Sequence, residues 1–162
     1  MKDFYQPFLN YSFWLLARKS YSEAEILKKL KLRAKKVQLP DLEGDQVVAR
    51  VMARLLELGY VNDDKIIDNF LDYGLSAKPV GKFYFVNKMR KKGIAGDKVK
   101  NAWAAREIDE YKLVKELLQS QSRKFEGLDT QKRKKKVANF LAARGFSADV
   151  IWKAVGQIDV EN

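Results

Sequence analysis

The sequence contains no cysteine and no histidine, and only three prolines occur in its 162 residues. Without cysteine no disulfide framework can form, so nothing in the chain points to an oxidising compartment. The two absences exclude a zinc site of Cys and His ligands, a Ser-His-Asp triad, a cysteine nucleophile and a histidine base. The acidic residues form no paired-carboxylate motif either, and DLEGD (41–45) has too few ligands for a calcium loop. We therefore expect no enzymatic activity, no metal site and no cofactor.

A long hydrophobic run is also lacking. The longest apolar stretch is far shorter than the ~18 residues that a membrane-spanning helix needs. The first ten residues, MKDFYQPFLN, include an Asp and a Pro and lack a signal-peptide core. Hydrophobic residues still make up 46% of the chain and aromatic residues 12%, which is typical of a folded domain. These features predict a folded cytoplasmic protein, without a membrane segment and monomeric.

The net charge of +11 is concentrated in the second half of the chain. Residues 1–74 contain 12 Lys or Arg and 11 Asp or Glu, whereas residues 75–162 contain 20 and 10. A half with net charge +10 is attracted to a polyanion, either nucleic acid or a protein assembled on nucleic acid.

Apolar residues recur at helical spacing along nearly the whole chain, and no segment makes a convincing strand. Ser22 with Glu25 predicts a capping box, and Gly59 predicts the end of a helix that starts near Gln46. Asn62 and Ser147 are expected to cap later helices. Residues 37–45, VQLPDLEGD, are expected to form a loop because they contain a Pro, a Gly and three acids. The pattern predicts nine helices.

One helical pattern occurs three times. In each copy an apolar residue is followed four positions later by another, the last turn is basic, and a small residue ends the run. The copies are ILKKLKLRA (26–34), FVNKMRKKG (85–93) and VANFLAARG (137–145). The apolar pairs are Ile26 with Leu30, Phe85 with Met89, and Val137 with Leu141, and the stop residues are Ala34, Gly93 and Gly145.

This recurrence predicts an all-α fold made of three tandem three-helix repeats. The expected repeats cover residues 11–59, 60–106 and 107–158. Because each repeat buries a face of its neighbour, we expect an elongated and gently curved array. One tryptophan falls in each repeat next to the apolar positions, which favours a role in the core over one in base stacking. These tryptophans are Trp14, Trp103 and Trp152.

Three basic clusters are candidates for binding an anionic partner. Lys132–Lys136 are five consecutive cations, which turn through about 400° and so cannot share one helix face. They precede Val137 near a helix start, where cations are unfavourable, which favours a partner over a frayed, solvated helix start. Residues 88–93 lie in a last turn, where binding and simple solvation explain the cations equally well, and residues 31–36 favour solvation. The candidate partner- or DNA-binding residues are Lys88, Arg90, Lys91, Lys92, Lys132, Arg133, Lys134, Lys135, Lys136 and Arg144.

The order of these motifs resembles the RecX family of bacterial regulators of the RecA recombinase, over about residues 11–155. The family's S-x-x-E-L-x-x-K-L helix matches Ser22 to Leu30, and its G-Y-L-D-D-x-R-F-A segment matches Gly59 to Ile67. Its G-P-x-x-I-x-x-E-L-x-x-K-G-I helix matches residues 81–94, and its R-K-[FY] and F-L-x-x-R-G-F motifs match residues 123–125 and 140–146. The family-motif positions are Gly59, Tyr60, Asp63, Asp64, Lys65, Phe70 and Gly93. Lys82 replaces the family's usual Pro, Lys88 its usual acid, and Asn62 its first Asp.

The resemblance implies a regulatory protein that binds RecA nucleoprotein filaments and mainly inhibits recombinase, ATPase and coprotease activity, with a part in DNA repair, recombination and the SOS response. An alternative from the residues themselves is a helical protein that binds nucleic acid weakly, through phosphates and without sequence preference. The chain has no recognition helix rich in Arg, Asn and Gln for reading base edges. A hydrolase or nuclease is disfavoured by the absence of His and of an acidic cluster.

Overall fold

The computed structural model describes residues 3–158, and every regular element in that range is helical. The α-helices are α1 (Tyr5–Leu16), α2 (Glu23–Lys36), α3 (Asp41–Glu57), α4 (Asp63–Asn69), α5 (Lys82–Lys91), α6 (Gly96–Ala105), α7 (Glu110–Ser120), α8 (Thr130–Ala143) and α9 (Ala148–Gln157). Helix α4 continues into a π-helical turn (Phe70–Gly74) and a last α-helical turn (Leu75–Ala77). A 3-10 turn (Ser122–Lys124) follows α7. The all-α prediction is therefore confirmed, with nine helices among the described residues when the continuous α4 segment is counted once.

The chain divides into two compact units. The first unit comprises the chain up to Asp68 together with Arg90–Ala95, and the second comprises Asn69–Met89 together with the chain from Gly96 onward. None of the helices within residues 3–158 has the length and apolar character to cross a membrane.

In the first unit, α1, α2 and α3 pack against one another around a single apolar core. Helices α2 and α3 approach closely where Gly44 faces Ala34, since a Cβ on Gly44 would lie 3.3 Å from the Ala34 Cβ. The core residues include Phe8, Ile26, Leu30, Val51, Leu55 and Val61.

In the second unit, α9 packs on both α7 and α8 around a second core. That core contains Val114, Leu117, Phe125, Val137, Leu141, Phe146 and Val155. A separate run of aromatic rings joins α5 to its neighbours in this unit. Phe85 stacks on Phe70 with ring centroids 5.2 Å apart and packs against Trp103 at 5.3 Å.

The repeated apolar pairs are buried as predicted. All six residues, Ile26, Leu30, Phe85, Met89, Val137 and Leu141, are at most 2% exposed. The predicted caps are also present. Ser22 and Glu25 form a reciprocal capping box, and the side chains of Asn62 and Ser147 accept backbone N–H groups of α4 and α9.

Two local predictions were wrong. Residues 37–45 are not all loop, because α3 begins at Asp41 directly after Pro40. Asp41 and Glu43 lie in the first turn, where the helix dipole favours acids, and Gly44 is tolerated because it packs on Ala34. Helix α2 does not end at Ala34 but continues to Lys36, and Gln38 takes the left-handed conformation after it, with φ +57°.

The prediction for the tryptophans holds only for Trp103, which is 5% exposed. Trp14 is 51% exposed and Trp152 is 71% exposed. The buried positions of α1 are Phe8, Leu9, Ser12 and Leu15. Trp14 lies on the opposite side of that helix.

Candidate partner-binding surfaces

Helix α8 begins with the basic run Lys132–Lys136, and its cap explains how the fold accepts those charges. Asp129 is the N-cap and accepts the Lys132 N–H at 2.9 Å. Its carboxylate also pairs with the Lys132 ammonium at 3.2 Å. The backbone and side-chain hydrogen bonds from Lys132 lower the pKa of Asp129 below its ordinary value. A carboxylate at this position offsets part of the repulsion between the cations and the positive end of the helix.

The cations of α8 separate into two groups. Arg133 and Lys136 fold back onto the preceding segment, where Arg133 Nε donates to the Phe125 carbonyl at 3.3 Å and Lys136 Nζ to the Lys124 carbonyl at 2.6 Å. Lys132 and Lys135 are exposed, as is Lys136 despite its bond, while Arg133 and Lys134 are half-buried.

The residues that fold back belong to one stripe along α8. Arg133, Lys136, Phe140 and Arg144 are spaced i, i+3, i+7 and i+11, so they share one helix face. The Lys124 ammonium lies 5.4 Å from the centre of the Phe140 ring, and the Arg144 guanidinium lies 5.0 Å from it. These five residues, Lys124, Arg133, Lys136, Phe140 and Arg144, are called the α8 basic surface below.

The α8 basic surface brings together three sequence-predicted candidates and two residues that were missed. Lys124 and Phe140 were matched to motifs but not to binding, although the spacing of Phe140 from Arg133 and Arg144 on α8 could have revealed it. Lys124 and Arg144 lie over the Phe140 ring, and Arg133 and Lys136 share its helix face, so four like charges lie along one surface and repel one another. An anionic partner would relieve that repulsion.

The four candidate cations on α5 and directly after it have different surroundings. Lys88, Arg90 and Lys91 are exposed, and Lys88 lies 4.8 Å from the centre of the Phe70 ring. Lys92 is half-buried and forms an ion pair with Glu25 at 3.0 Å. Lys92 is therefore the member of this cluster that already has an anionic partner within the protein.

Glu25 is fixed in the first unit by groups from two segments. Burial raises its pKa, but the Ser22 N–H and the Lys92 ammonium outweigh that effect and lower the pKa below the ordinary value. The Ser22 hydroxyl in turn donates to the Lys92 carbonyl. Gly93 has φ +75° and lies against Ala24 so closely that a Cβ would be 2.5 Å from the Ala24 Cβ. The start of α2 is thus bonded to the residues that follow α5.

A similar joint forms in the second unit, where the start of α5 meets the end of α8. The N–H groups of Gly81 and Phe83 donate to the carbonyls of Arg144 and Gly145 at 2.9 and 3.1 Å. The Lys82 N–H donates to the Glu110 carboxylate at 2.9 Å, a bond that the family's usual proline could not make. The Arg144 side chain also donates to the Pro79 carbonyl at 3.2 Å, so this candidate residue supports the joint as well.

The family-motif positions build the connection from α3 to α4. Gly59 has φ +70°, and the Tyr60 N–H donates to the Leu55 carbonyl at 3.0 Å, which ends α3 as predicted. The Tyr60 ring is 57% exposed and packs edge-on against Phe13. Asp63 is buried and accepts the Glu23 N–H at 3.0 Å, so it joins the start of α4 to the start of α2.

The remaining motif positions lie in α4 and beyond it. Asp64 and Lys65 are exposed in the first turn of α4, and the Lys65 N–H donates to Asn62 at 3.0 Å. Phe70 opens the π-helical turn and stacks on Phe85. Gly93 forms the close contact with Ala24 already described. Asp63, Phe70 and Gly93 thus make contacts inside the protein.

Comparison with known proteins was informative at the level of both sequence and fold. A family model described as RecX, third three-helix domain, matches residues 107–155. Regulatory protein RecX of Deinococcus radiodurans is 26% identical over 156 residues, covering 94% of this chain and 69% of that protein. Regulatory protein RecX of Haemophilus influenzae is 26% identical over 153 residues, covering 91% of this chain and 92% of that protein.

Two solved structures share the fold. The crystal structure of RecX from Lactobacillus salivarius superposes with a TM-score of 0.77, at 15% identity, and 99% of each chain is covered. A crystal structure of regulatory protein RecX superposes with a TM-score of 0.74, at 18% identity, covering 96% of this chain and 74% of the other.

Proposed function

The chain belongs to the RecX family, and from this premise we propose that it binds RecA nucleoprotein filaments and modulates them, mainly by inhibition. The observation that carries the proposal is similarity over nearly the whole chain to proteins named regulatory protein RecX. The protein acts as a cytoplasmic monomer and as a regulator, without a catalytic reaction of its own. Through RecA it limits recombination, ATP hydrolysis and coprotease activity in DNA repair and the SOS response.

The α8 basic surface and the exposed lysines beside it supply the attraction to the filament. A RecA filament contains DNA, so its field draws in a protein whose second half carries net charge +10. Lys132 and Lys135 extend into solvent from α8, where they can meet acidic groups of the filament or phosphates of its DNA. One bound regulator can cap or interrupt a filament and so affect many protomers. A small amount of protein therefore inhibits a long filament.

The test compares two triple variants that remove the same charge. One replaces Lys132, Lys135 and Lys136 with Gln, and the other replaces Lys78, Lys100 and Lys112, which are exposed lysines outside the α8 basic surface. The measurement is how strongly each variant inhibits the ATP hydrolysis that RecA of the same organism carries out on single-stranded DNA, at low and at high salt. We expect the first variant to inhibit less than the control, with the difference shrinking as salt screens the wild type. Equal inhibition by both variants would indicate that the contact surface lies instead around Lys88, Arg90 and Lys91.

A sequence-nonspecific nucleic-acid-binding protein is the second candidate function. The observation in its favour is the row of exposed cations at the start of α8, which suits phosphate contacts and reads no base. The same ATPase assay separates the two functions. A plain DNA binder would inhibit RecA only at concentrations that coat the single strand, whereas a filament regulator inhibits at a small fraction of the RecA concentration.

A further inference from the structure

The first half of the sequence contains a basic segment that its near-neutral total charge conceals. Residues 11–36, which span the second half of α1 and all of α2, contain eight Lys or Arg against two Asp or Glu. Residues 37–74 reverse this balance, with three Lys or Arg against eight Asp or Glu. The sequence average of the first half therefore hides a cationic α1–α2 layer of net charge +6.

Aromatic rings alternate with the cations of this layer. The rings of Tyr11 and Trp14 are stacked, with an interplanar angle of 18° and centroids 6.1 Å apart. The Arg18 guanidinium lies 3.4 Å from the centre of the Trp14 ring, and the Arg33 guanidinium lies 4.3 Å from that of Tyr11. We call Tyr11, Trp14, Arg18 and Arg33 the aromatic ladder.

The ladder lies at the surface and not in the core. Trp14 is 51% exposed and Arg18 is exposed, whereas Arg33 is held in place, with its Nε buried and lacking a hydrogen-bond partner among the described residues. Next along the chain, the Lys19 ammonium lies 4.5 Å from the centre of the Tyr21 ring. A large, half-exposed ring on a helix, flanked by exposed cations, is the arrangement with which proteins stack unpaired bases and neutralise their phosphates.

We propose that the aromatic ladder is a binding surface for single-stranded nucleic acid. In the complex an unpaired base displaces the Arg18 guanidinium from the face of the Trp14 ring and stacks there, while Arg18 and Lys19 contact the adjoining phosphates. The charge of the layer selects a polyanion, and the exposed ring selects one that carries planar groups. Base pairing hides those groups in a duplex, so single strands are preferred. Stacking reads no base edge, and the surface therefore accepts any sequence and does not require RecA.

Direct binding measurements on the full-length protein test this surface. The probes are a fluorescein-labelled dT oligonucleotide and a duplex of the same length, and the variants are Trp14→Ala and the matched control Trp152→Ala, which changes an exposed tryptophan in the other unit. We expect Trp14→Ala to weaken dT binding about five- to a hundredfold, the effect of losing one stacked base. Duplex binding should change by less than about twofold, as should dT binding by Trp152→Ala, since neither involves stacking on Trp14. Melting temperatures check that both variants are folded.

Three results would overturn the proposal. They are unchanged dT binding by folded Trp14→Ala, an equal loss for dT and duplex, and an equal loss for Trp14→Ala and Trp152→Ala. Unchanged dT binding combined with weaker inhibition of RecA would mean that the ladder contacts protein instead. Because the binding assay contains no RecA, its failure leaves the proposed RecA regulation untouched.

Discussion

Gly81 lies against Gly145 so closely that a Cβ added to Gly81 would be 2.2 Å from the Gly145 carbonyl oxygen. Gly145 is equally confined, since its Cβ would lie 2.3 Å from the Tyr84 nitrogen, and Gly145 has φ +76°. At these two glycines the helix ends meet through their backbones. Neither position has room for a side chain.

The first prediction concerns this joint. Gly81→Ala should destabilise the protein by on the order of 2–3 kcal/mol, because the added methyl group meets backbone atoms that cannot move aside cheaply. Urea unfolding followed by circular dichroism measures the change. Gly156→Ala is the matched control, since nothing lies within 4 Å of its added Cβ. The control should be neutral or stabilise α9 by up to about 1 kcal/mol. Similar stability of the two variants would contradict the close contact.

The second prediction concerns the core of the second unit. Leu141 is completely buried, so Leu141→Ala should cost on the order of 2–5 kcal/mol by leaving a cavity. Leu42→Ala removes the same atoms from a side chain that is 75% exposed and should change stability by less than about 0.5 kcal/mol. The comparison is made by thermal unfolding. A loss of less than about 1 kcal/mol for Leu141→Ala would show that the α7–α9 core is packed differently.

The third prediction uses the lowered pKa of Glu25. Its stabilising effect is present above the ordinary value of about 4.5 and is lost as the pH falls through the lower pKa of the folded state. Glu25→Gln lacks the charge, so at neutral pH it should be less stable than wild type by no more than about 1 kcal/mol, because solvent screens the pair with Lys92. That difference should shrink as the pH drops below 4.5.

The control for this prediction is Glu57→Gln. It breaks the 2.8 Å ion pair between Glu57 and Arg54, two exposed side chains. An exposed ion pair contributes little to stability, so the free energy of unfolding of Glu57→Gln should match that of wild type at every pH. Urea unfolding between pH 3 and pH 7 measures the stability of both variants. If the deficit of Glu25→Gln is as large in acid as at neutral pH, the carboxylate charge is not its source.

The fourth prediction concerns salt. Binding of the protein to duplex DNA should be weak, independent of sequence and steeply weakened by salt, because the cations exposed on α8 can contact only phosphates. In the variant with Lys132, Lys135 and Lys136 changed to Gln, the slope of log affinity against log salt should fall by up to about 3. The Lys78, Lys100 and Lys112 variant should retain the wild-type slope. Fluorescence anisotropy across a salt titration gives both slopes, and a wild-type affinity that did not respond to salt would exclude phosphate contacts.

Local sequence patterns predicted the structural features that are determined by residues close together in the chain. The i, i+4 apolar pairs, the Ser22 capping box and the end of α3 at Gly59 are all present, because periodicity and caps are set within a few residues. The same patterns misplaced the start of α3 and missed the π-helical turn at Phe70. The start of α3 depends on packing between helices, as the close approach of Gly44 to Ala34 shows.

Contacts between distant segments could not be predicted from composition or period. Nothing in the run 88–93 indicates that Lys92 pairs with Glu25, 67 residues away, while Lys88 lies over Phe70. Nor does the sequence show that Arg133 and Lys136 bind carbonyls of the preceding turn. The sequence therefore predicted most of the candidate cations. Which of them make contacts within the protein could be seen only in the fold.

The joint between Gly81 and Gly145 explains how this architecture tolerates sequence drift. Two of its hydrogen bonds run from main-chain N–H groups to main-chain carbonyls, and every residue except proline supplies both groups. These two bonds can persist when the surrounding side chains change, as long as the two glycines remain. A scaffold assembled in this way can keep its fold at 15% identity to the crystal structure of RecX from Lactobacillus salivarius, while the outward-facing residues are free to adapt to a different partner.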